Sequence, residues 1–175
     1  MARILVIYST TDGHTLTICE RMKAVMETGG HQVVLVSIQD AAGIELGRFD
    51  RILIGASIRY GVHGKPVMDF IKRHVEALDR MPSAFFSVNL VARKPEKRQA
   101  NTNPYVKRFL RNIPWKPKAV AVFAGRLDYP SYTRVDRWMI RLIMAITGGP
   151  TDPGAVVEFT DWSEVETFAQ EFARD

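Results

Sequence analysis

The sequence predicts one α/β domain built on a doubly wound, five-stranded parallel sheet. Five short apolar segments follow one another along the chain, helix-like segments separate them, and 175 residues suit a single domain with a sizeable core. The hydrophobic content of 46% indicates a folded chain. The single cysteine excludes an internal disulfide framework and a zinc site with several cysteine ligands. No apolar run approaches the roughly 20 residues that a membrane-spanning helix needs.

The predicted strands are short, apolar and rich in β-branched residues, which is typical of strands buried on both faces of a parallel sheet. They are residues 2–8, 31–38, 50–56, 83–91 and 118–125. The predicted helices between and after them are residues 15–28, 65–78 and 161–174. The first helix ends at Gly29-Gly30, Pro66 suits the first turn of the second, and Asp161 and Glu164 have the spacing of a capping box.

Two stretches exceed what a minimal five-strand unit needs. One is a basic loop and helix over residues 92–116, and the other is an insert over residues 130–153 that contains a predicted helix at 132–146. Residues 156–160 are predicted to form a short strand after the insert. Since no repeat, linker or low-complexity tract interrupts the alternation, we expect residues 1–175 to form one domain.

The net charge of +5 is unevenly distributed. Residues 93–118 carry nine basic side chains and one acidic side chain, whereas residues 151–175 carry one basic and seven acidic ones. A charge run of this kind is either a solvated surface or a surface that faces an anion, such as an acidic small molecule, an anionic lipid or a nucleic acid.

The loop after the first strand has the composition of an anion site. Hydroxyl side chains, a glycine and a helix N-terminus come together in seven residues: Ser9, Thr10, Thr11, Asp12, Gly13, His14 and Thr15. Backbone N–H groups at a helix start and hydroxyl donors can hold a phosphate. The loop lacks the lysine of a P-loop and the G-x-G-x-x-G of a dinucleotide site. The residues alone leave open an ordinary helix-capping loop.

Two more loops follow strands three and four, at the same predicted edge of the sheet, where ligands of open α/β folds bind. The candidates for contact with a flat ring are Ser57, Ile58, Arg59, Tyr60 and Gly61 in one loop, and Ser87, Val88, Asn89, Leu90 and Ala92 in the other. Tyr60 is a candidate stacking residue, and a surface tyrosine packed on its own loop is the alternative.

The chain resembles the flavodoxin-like superfamily, in which the loop after the first strand has the form S/T-x-T-G-x-T. Here that loop is one residue longer because of Asp12. Further stretches resemble one branch, the menaquinone-dependent protoporphyrinogen IX dehydrogenases, and the resemblance covers essentially the whole chain. These stretches are STTDGHT (9–15), IGASIRYG (54–61), MPSAFFSVNLVARKPEKR (81–98), YTRVDRWMIRLIMAITGGPTD (132–152) and TDW (160–162).

The resemblance implies a strand order of 2-1-3-4-5 and an insert in the fifth-strand region, as in long-chain flavodoxins. It implies that FMN binds with its phosphate at residues 9–15 and its ring between the 57–61 and 87–92 loops. It also implies oxidation of protoporphyrinogen IX to protoporphyrin IX in haem biosynthesis, with electrons passed to a membrane quinone, menaquinone or ubiquinone. The flavin performs the redox chemistry, so no catalytic side chain is assigned, and no metal or nucleic acid is expected.

Acidic substrate and membrane are the expected partners of the basic residues. Candidates for the two propionates, besides Arg59, are Arg93, Lys94, Lys97 and Arg98. The candidates for a membrane surface lie in the insert helix: Arg134, Arg137 and Arg141 form a basic stripe beside an apolar face that includes Trp138. The alternative is that this apolar face packs on the sheet. With the membrane contact, the protein is expected at the cytoplasmic side of the bacterial inner membrane, attached peripherally.

Three other function classes remain open at this point. A flavodoxin-type electron carrier is usually strongly acidic, which the net charge of +5 disfavours. An NAD(P)H:quinone reductase can use the same fold and would be reduced by the nicotinamide. A nucleic-acid-binding module is compatible with the charge alone and would bind in a steeply salt-dependent way.

Overall fold

A computed structural model describes residues 1–174 of the chain. Five long parallel strands form its main sheet, and when they are counted along the chain their order across the sheet is the predicted 2-1-3-4-5. These strands are β1 (Arg3–Ser9), β2 (Gln32–Ser37), β3 (Arg51–Arg59), β5 (Ser83–Asn89) and β6 (Ala119–Ala124). The predicted fold class is therefore confirmed, and each predicted strand is present with shifts of a few residues at its ends.

Helices cover both faces of this sheet. They are α1 (His14–Thr28), α2 (Lys65–Arg80), α3 (Pro104–Asn112), α4 (Arg134–Thr147) and α5 (Trp162–Arg174). The helices α1 and α5 pack with one face of the sheet in one apolar cluster, and α2 and α3 pack with the other face in a second cluster. The predicted cap of α5 is present, since Asp161 Oδ1 accepts hydrogen bonds from the backbone N–H groups of Ser163 and Glu164.

Three short strands complete the structure. The strand β4 (Val62–His63) pairs antiparallel with the end of β3, and β7 (Arg126–Asp128) pairs antiparallel with β8 (Val156–Glu158). Strand β8 lies inside the predicted short strand at 156–160, whereas β4 and β7 were not predicted because they have too few residues to show a periodic pattern. The pairing of β7 with β8 brings together the segments that precede and follow the predicted insert at 130–153.

The insert has a small apolar core of its own. Leu127, Tyr129, Tyr132 and Met144 are buried together, and Leu90, from the segment after β5, packs against them. The helix α4 is therefore attached at the carboxyl edge of the sheet, next to the loops that follow β1, β3 and β5. It does not join either of the two clusters that cover the faces of the sheet.

Candidate functional site

A cavity of about 1000 Å³, counted with its open mouth, lies at the carboxyl edge of the parallel sheet. Three loops form one side of it and α4 forms the other. The loops contribute Thr10, Asp12, His14, Thr15, Ser57, Ile58, Arg59, Tyr60, Gly61, Val88, Asn89, Leu90, Val91 and Arg93, and further lining comes from Tyr105, Gly125, Arg126, Tyr132, Asp136, Met139, Ile140, Ile143 and Met144. All three loops that the sequence singled out therefore meet at one cavity.

The first loop presents unsatisfied donors at the start of α1. Gly13 occupies the N-cap position with a φ of +85°, a conformation that glycine adopts without strain, and no side chain caps the helix. The Gly13 N–H donates to Thr10 Oγ1 over 3.0 Å, which closes the loop. Thr15 is 1% exposed, and its Oγ1 has no hydrogen-bond partner within the described chain. A buried hydroxyl without a partner beside an uncapped helix start fits a bound anion.

The second loop is a two-residue turn that sets the position of Tyr60. Tyr60 and Gly61 connect β3 to β4 with φ angles of +50° and +78°, as a type I′ hairpin turn requires. Left-handed backbone is unusual for tyrosine and costs about 1–3 kcal/mol. The turn leaves the ring 62% exposed at the cavity, where its hydroxyl donates to Asp136. The strained turn therefore holds an aromatic ring at the cavity edge.

Asp136, near the start of α4, binds several side chains on this side of the cavity. It is 4% exposed, and its carboxylate accepts hydrogen bonds from Tyr60, Arg59 and Thr133 Oγ1. The hydrogen bonds from Tyr60 and Thr133, together with the nearby guanidinium of Arg59, hold the pKa of Asp136 below its ordinary value of 3.8. The Asp136 side chain is therefore a carboxylate at neutral pH, and it joins the insert to the loop after β3.

Arg59 also faces Asp12 in the first loop, with 3.5 Å between its Nη1 and Asp12 Oδ1. Burial raises the pKa of Asp12 above its ordinary value of 3.8, and the charge of Arg59 opposes that shift. Arg59 therefore links three parts of the chain: the first loop, its own strand end and the insert. The residue that makes the phosphate loop longer, Asp12, is turned toward this arginine.

A second arginine fastens the other end of α4. Arg93 Nη1 donates to the Leu90 carbonyl over 3.0 Å, and Arg93 Nη2 donates to the carbonyl and hydroxyl of Thr147 over 3.1 and 2.7 Å. A cation at the last turn of a helix satisfies carbonyls that have no partner within the helix. Arg59 and Arg93 thus hold α4 near its two ends from two different loops.

A chain of buried side-chain hydrogen bonds supports the loop after β5. Asn103 Oδ1 accepts from the backbone N–H groups of Tyr105 and Val106, so its amide nitrogen must donate, and it does so to Asn89 Oδ1 over 3.0 Å. Asn89 Oδ1 also accepts from the backbone N–H of Ala92, and Asn89 Nδ2 therefore donates to Ser87 Oγ over 3.1 Å. The direction of each hydrogen bond is fixed by the backbone donors at its end.

His63 lies at the end of this series of hydrogen bonds, with 2.8 Å between its Nε2 and Ser87 Oγ. It is packed against the rings of Phe85 and Phe109, and burial lowers its pKa to about 3. The imidazole is therefore neutral at physiological pH. Because Ser87 Oγ already accepts from Asn89, its hydroxyl hydrogen is free to donate to the neutral His63 Nε2.

The insert helix exposes most of the apolar face that the sequence predicted. Val135, Trp138, Leu142 and Ile146, which we call the apolar stripe, are 66%, 66%, 47% and 77% exposed. The structure therefore differs from one of the two alternatives left open by the sequence, in which this apolar face packs on the sheet. Among residues 1–174, no helix is long and apolar enough to cross a membrane.

The predicted basic stripe of α4 is used differently from the expectation. Arg137 Nε donates to the Tyr129 carbonyl over 3.0 Å, and Arg141 Nε donates to the Thr151 carbonyl over 2.8 Å. These two arginines thus fasten α4 to the rest of the insert. Arg134 is exposed and makes no ion pair within the described residues.

The remaining loop residues that the sequence singled out do not line the cavity. These are Ser9, Thr11, Gly13, Ser87, Ala92, Lys94, Lys97 and Arg98. Ser87 and Ala92 are fully buried, and Arg98 donates to the Ala92 carbonyl and faces Glu164 at 3.7 Å. Several of the predicted site residues thus support the loops without contacting the cavity.

Sequence reasoning missed Asp136, His63 and Asn103. Asp136 stands three residues after Thr133, whose hydroxyl accepts from its N–H, and that capping spacing was the one signal available. Its partner Arg59 lies 77 residues away in the sequence, so the contact between Arg59 and Asp136 leaves no local pattern. Outside the three loops, Tyr105, Arg126 and Tyr132 at the cavity were missed for the same reason.

Comparison with known families decides between the possible α/β folds. The family model described as a flavodoxin domain matches residues 5–154. The chain belongs to this flavodoxin family. It is a flavodoxin-like oxidoreductase by this membership and by its relatives, and its family suggests a flavin cofactor.

Curated relatives of this flavodoxin family member share nearly its full length. The protein named protoporphyrinogen IX dehydrogenase [quinone] of Escherichia coli K12 is 44% identical over 171 residues, which cover 98% of this chain and 94% of that protein. A protein with the same name from Leishmania major is 44% identical over 172 residues, which cover 98% of this chain and 74% of that protein. The resemblance to this enzyme branch is thus confirmed.

Solved structures confirm the flavodoxin fold. A cysteine-to-alanine mutant of flavodoxin from Pseudomonas aeruginosa superposes with a TM-score of 0.58 at 9% identity, covering 98% of this chain and 97% of that chain. Oxidised flavodoxin 1 from Bacillus cereus gives a TM-score of 0.55 at 14% identity, covering 98% and 97%. At these identities the similarity concerns the fold alone.

The residues present fit a flavin mononucleotide. The uncapped α1 start and the buried, unpartnered Thr15 Oγ1 suit its phosphate, and Tyr60 and the segment after β5 border a space for its ring. Asn89 lines the same space and keeps one amide N–H for a bound group, since its other N–H donates to Ser87. No metal-binding group of three or more His, Cys, Asp or Glu side chains occurs in the described residues.

Proposed function

We propose that this protein is an FMN-dependent dehydrogenase that oxidises protoporphyrinogen IX to protoporphyrin IX in haem biosynthesis and passes the electrons to a membrane quinone, menaquinone or ubiquinone. The observation that carries the proposal is one cavity that combines an anion-binding loop, an exposed aromatic ring and an apolar helical wall. The proposal is supported by relatives named protoporphyrinogen IX dehydrogenase [quinone] at 44% identity over nearly the full chain.

The chain holds and shields the cofactor in this proposal. Bound FMN supplies the capacity to accept two electrons from one substrate and deliver them to another. The N-terminus of α1 and Thr15 bind its phosphate, and Tyr60 packs on its ring. The helix α4, held by Arg59 and Arg93, covers the cavity and excludes water from the reacting atoms.

Arg93 is the best candidate for a propionate of the substrate. Asp136 and Asp12 neutralise the charge of Arg59. Arg93 instead donates to carbonyls and a hydroxyl, and among the described residues no carboxylate pairs with it. A carboxylate at the cavity therefore meets an uncompensated positive charge at Arg93. Lys94 and Lys97 lie beside it in sequence and stay candidates at the rim.

The exposed apolar stripe supports peripheral attachment to a membrane. A helix with Trp138 and three aliphatic side chains exposed on one side, and with the cation of Arg134 next to them, is typical of a helix that lies in a membrane interface. An anionic membrane surface attracts the cation and the lipid boundary accepts the apolar stripe. We place this surface at the cytoplasmic side of the bacterial inner membrane, where a lipid-soluble quinone is within reach.

Vesicle binding tests the membrane part of the proposal separately. The double variant Trp138→Ser, Ile146→Ser removes two large apolar side chains, so we expect binding to anionic vesicles to fall by more than about tenfold in co-sedimentation. The control is Val34→Ser, which removes an exposed apolar side chain of β2. Unchanged binding of the double variant would remove the membrane role from α4.

Porphyrin fluorescence tests the enzyme activity. FMN-loaded protein is mixed with protoporphyrinogen IX without oxygen, and a quinone is then added. We expect porphyrin fluorescence to rise on quinone addition, well above the rate without protein. An equal rate would contradict the proposal. Rapid flavin bleaching by NAD(P)H would instead indicate an NAD(P)H:quinone reductase, and a strongly stabilised one-electron state would indicate an electron carrier.

A further inference from the structure

Four buried polar side chains form one hydrogen-bonded network that reaches the cavity. They are His63 of β4, Ser87 and Asn89 of β5, and Asn103, which caps α3, and each is at most 5% exposed. Asn89 is the member that lines the cavity. Buried polar groups destabilise a fold unless they are hydrogen-bonded, so the donors and acceptors that each member has already used decide what the network can offer to a bound molecule.

The side-chain amide of Asn103 uses its full capacity within the protein. Its oxygen accepts from the backbone N–H groups of Tyr105 and Val106. Its nitrogen donates to the Lys97 carbonyl and to Asn89 Oδ1, each over 3.0 Å. An amide has two donor hydrogens and two acceptor sites, and all four are occupied here. Asn103 is therefore fixed in one orientation and presents a donor to Asn89.

The amide of Asn89 is left with one donor and no acceptor. Its oxygen accepts from Asn103 Nδ2 over 3.0 Å and from the backbone N–H of Ala92 over 3.1 Å. Its nitrogen donates to Ser87 Oγ over 3.1 Å, which leaves one N–H for a molecule in the cavity. A reversed amide would place its nitrogen against two other N–H donors, so the Asn89 side chain can offer this N–H and not an oxygen.

His63 supports the same amide from the other side, through Ser87. The neutral imidazole accepts the Ser87 hydroxyl hydrogen at Nε2, 2.8 Å away, so Asn89 meets the lone pairs of Ser87 Oγ. His63 packs against the rings of Phe85 and Phe109 and does not line the cavity. It therefore acts on a molecule in the cavity through Ser87 and Asn89.

A fixed N–H donor at a flavin ring favours the reduced flavin. The ring carries two carbonyl oxygens that accept hydrogen bonds, and the negative charge on this part of the ring increases when it takes up electrons. A donor that is already in place therefore binds the reduced ring more strongly than the oxidised ring. An amide oxygen at the same position would have the opposite effect.

We propose that the second amide hydrogen of Asn89 binds a carbonyl oxygen of the flavin ring, and that Asn103 and His63 are positioning residues that keep the Asn89 amide in this orientation. The inference rests on the proposed function, in which the cavity holds FMN, and adds how the chain raises the reduction potential of that FMN. The contact makes the flavin a better acceptor of electrons from the substrate.

Redox titration of the FMN-loaded protein tests the contact. Asn89→Ala removes the donor, so we expect reduced FMN to lose about tenfold in affinity relative to oxidised FMN, which is a fall of about 30 mV in the two-electron potential. Asn101→Ala changes an exposed asparagine before α3 and is expected to leave the potential unchanged. An unchanged potential in Asn89→Ala would overturn the proposal and leave the proposed function in place.

Infrared spectroscopy detects the hydrogen bond itself. FMN that is isotope-labelled at one carbonyl or the other is bound to the protein, and the two carbonyl bands are assigned from the label. A donor weakens the carbonyl bond, so we expect one of the two bands to lie at higher wavenumber in Asn89→Ala than in the unmodified protein. Identical carbonyl bands in the two proteins would overturn the proposal.

Two substitutions of His63 separate orientation from packing. His63→Phe keeps an aromatic ring against Phe85 and Phe109 but cannot accept from Ser87, whereas His63→Gln can accept through its amide oxygen. We expect the relative affinity for reduced FMN to fall by about threefold in His63→Phe, which is about 15 mV, and to be retained in His63→Gln. Equal potentials in the two variants would overturn the positioning role of His63.

Asn103→Ser makes the corresponding change at the other end of the network. The serine oxygen can still cap α3, but the donor to Asn89 is lost, so we expect the potential to fall as in His63→Phe. A purely structural role would weaken the binding of oxidised and reduced FMN equally and leave the potential unchanged, and this result would overturn the positioning role of Asn103. An unmodified chain that binds no FMN would contradict the proposed function, and the contact with it.

Discussion

Arg59, at the end of β3, forms an ion pair with Asp136 of α4, which lies 77 residues further along the chain. The pair joins the turn that carries Tyr60 to the helix that covers the cavity. Tyr60 donates to the same carboxylate, so one aspartate holds both the aromatic ring and the arginine. The position of the insert over the candidate active site therefore depends on a contact between two segments that are far apart in the sequence, the end of β3 and α4.

Removing the charge of Asp136 should loosen α4. In Asp136→Asn the amide no longer pairs with the guanidinium of Arg59, and we expect the amides of α4 to exchange with solvent roughly tenfold faster, measured by hydrogen–deuterium exchange. Asp69→Asn on α2 is a matched control, because its partner Lys65 is exposed. Equal exchange of α4 in Asp136→Asn and the unmodified chain would mean that the pair does not hold the helix.

The same contact predicts a pH dependence. A carboxylate whose pKa is lowered by folding stabilises the folded state above its ordinary pKa, and this stabilisation is lost as the pH falls through the lowered value. Since the pKa of Asp136 lies below 3.8, we expect the exchange protection of α4 to stay constant from neutral pH to about 4 and to fall below that. In Asp136→Asn this acid-dependent loss should be absent from α4.

The Arg93 contacts should be specific for the guanidinium group. Arg93→Lys keeps the charge but cannot reach Leu90 and Thr147 together, so we expect a loss of about 1–2 kcal/mol in the free energy of unfolding, measured by urea denaturation. Arg108→Lys on the exposed side of α3 should change it by less than about 0.5 kcal/mol. A loss of the same size in both variants would contradict the role of Arg93.

A substitution can remove the side-chain amide nitrogen of Asn103 and keep the side-chain oxygen that caps α3. Asn103→Asp still accepts from Tyr105 and Val106 but cannot donate to Asn89 or to the Lys97 carbonyl. We expect a loss of about 1–3 kcal/mol in the free energy of unfolding and faster exchange in the segment after β5. Asn101→Asp, two residues earlier and exposed, is the control that carries the same new charge.

Thr15 offers a test that separates binding from folding. Thr15→Val keeps the shape of the side chain and removes a buried hydroxyl that has no protein partner. We expect the unfolding free energy without FMN to rise or stay unchanged, and the dissociation constant of FMN to rise by about tenfold. Isothermal titration measures the second quantity. Unaltered FMN affinity would mean that the hydroxyl does not contact the phosphate.

The sheet could be predicted from the sequence because its strands carry a local signal. The segments around Leu5, Ile52 and Phe85 are apolar throughout, as strands covered on both faces are, and the helical period between them is equally local. The three loops of the candidate site follow from the sheet, since the carboxyl ends of parallel strands meet at one edge.

The relation between the insert and the site could not be predicted in this way. Asp136 interrupts a run of apolar and basic residues, and its two partners at 59 and 60 lie on another element. The apolar stripe was visible as a helical face, but the pattern is the same for a face that packs on a sheet and for one that stays exposed. Only the attachment of α4 at the sheet edge distinguishes these two cases.

Reduction of the bound flavin by the substrate tests the central claim most directly. FMN-loaded protein is mixed with protoporphyrinogen IX in the absence of oxygen, quinone and nicotinamide, and the visible absorbance of oxidised flavin is followed. We predict that this absorbance disappears in step with the appearance of oxidised porphyrinoid product and returns when quinone is added. Flavin that stays oxidised in the presence of porphyrinogen would contradict the account.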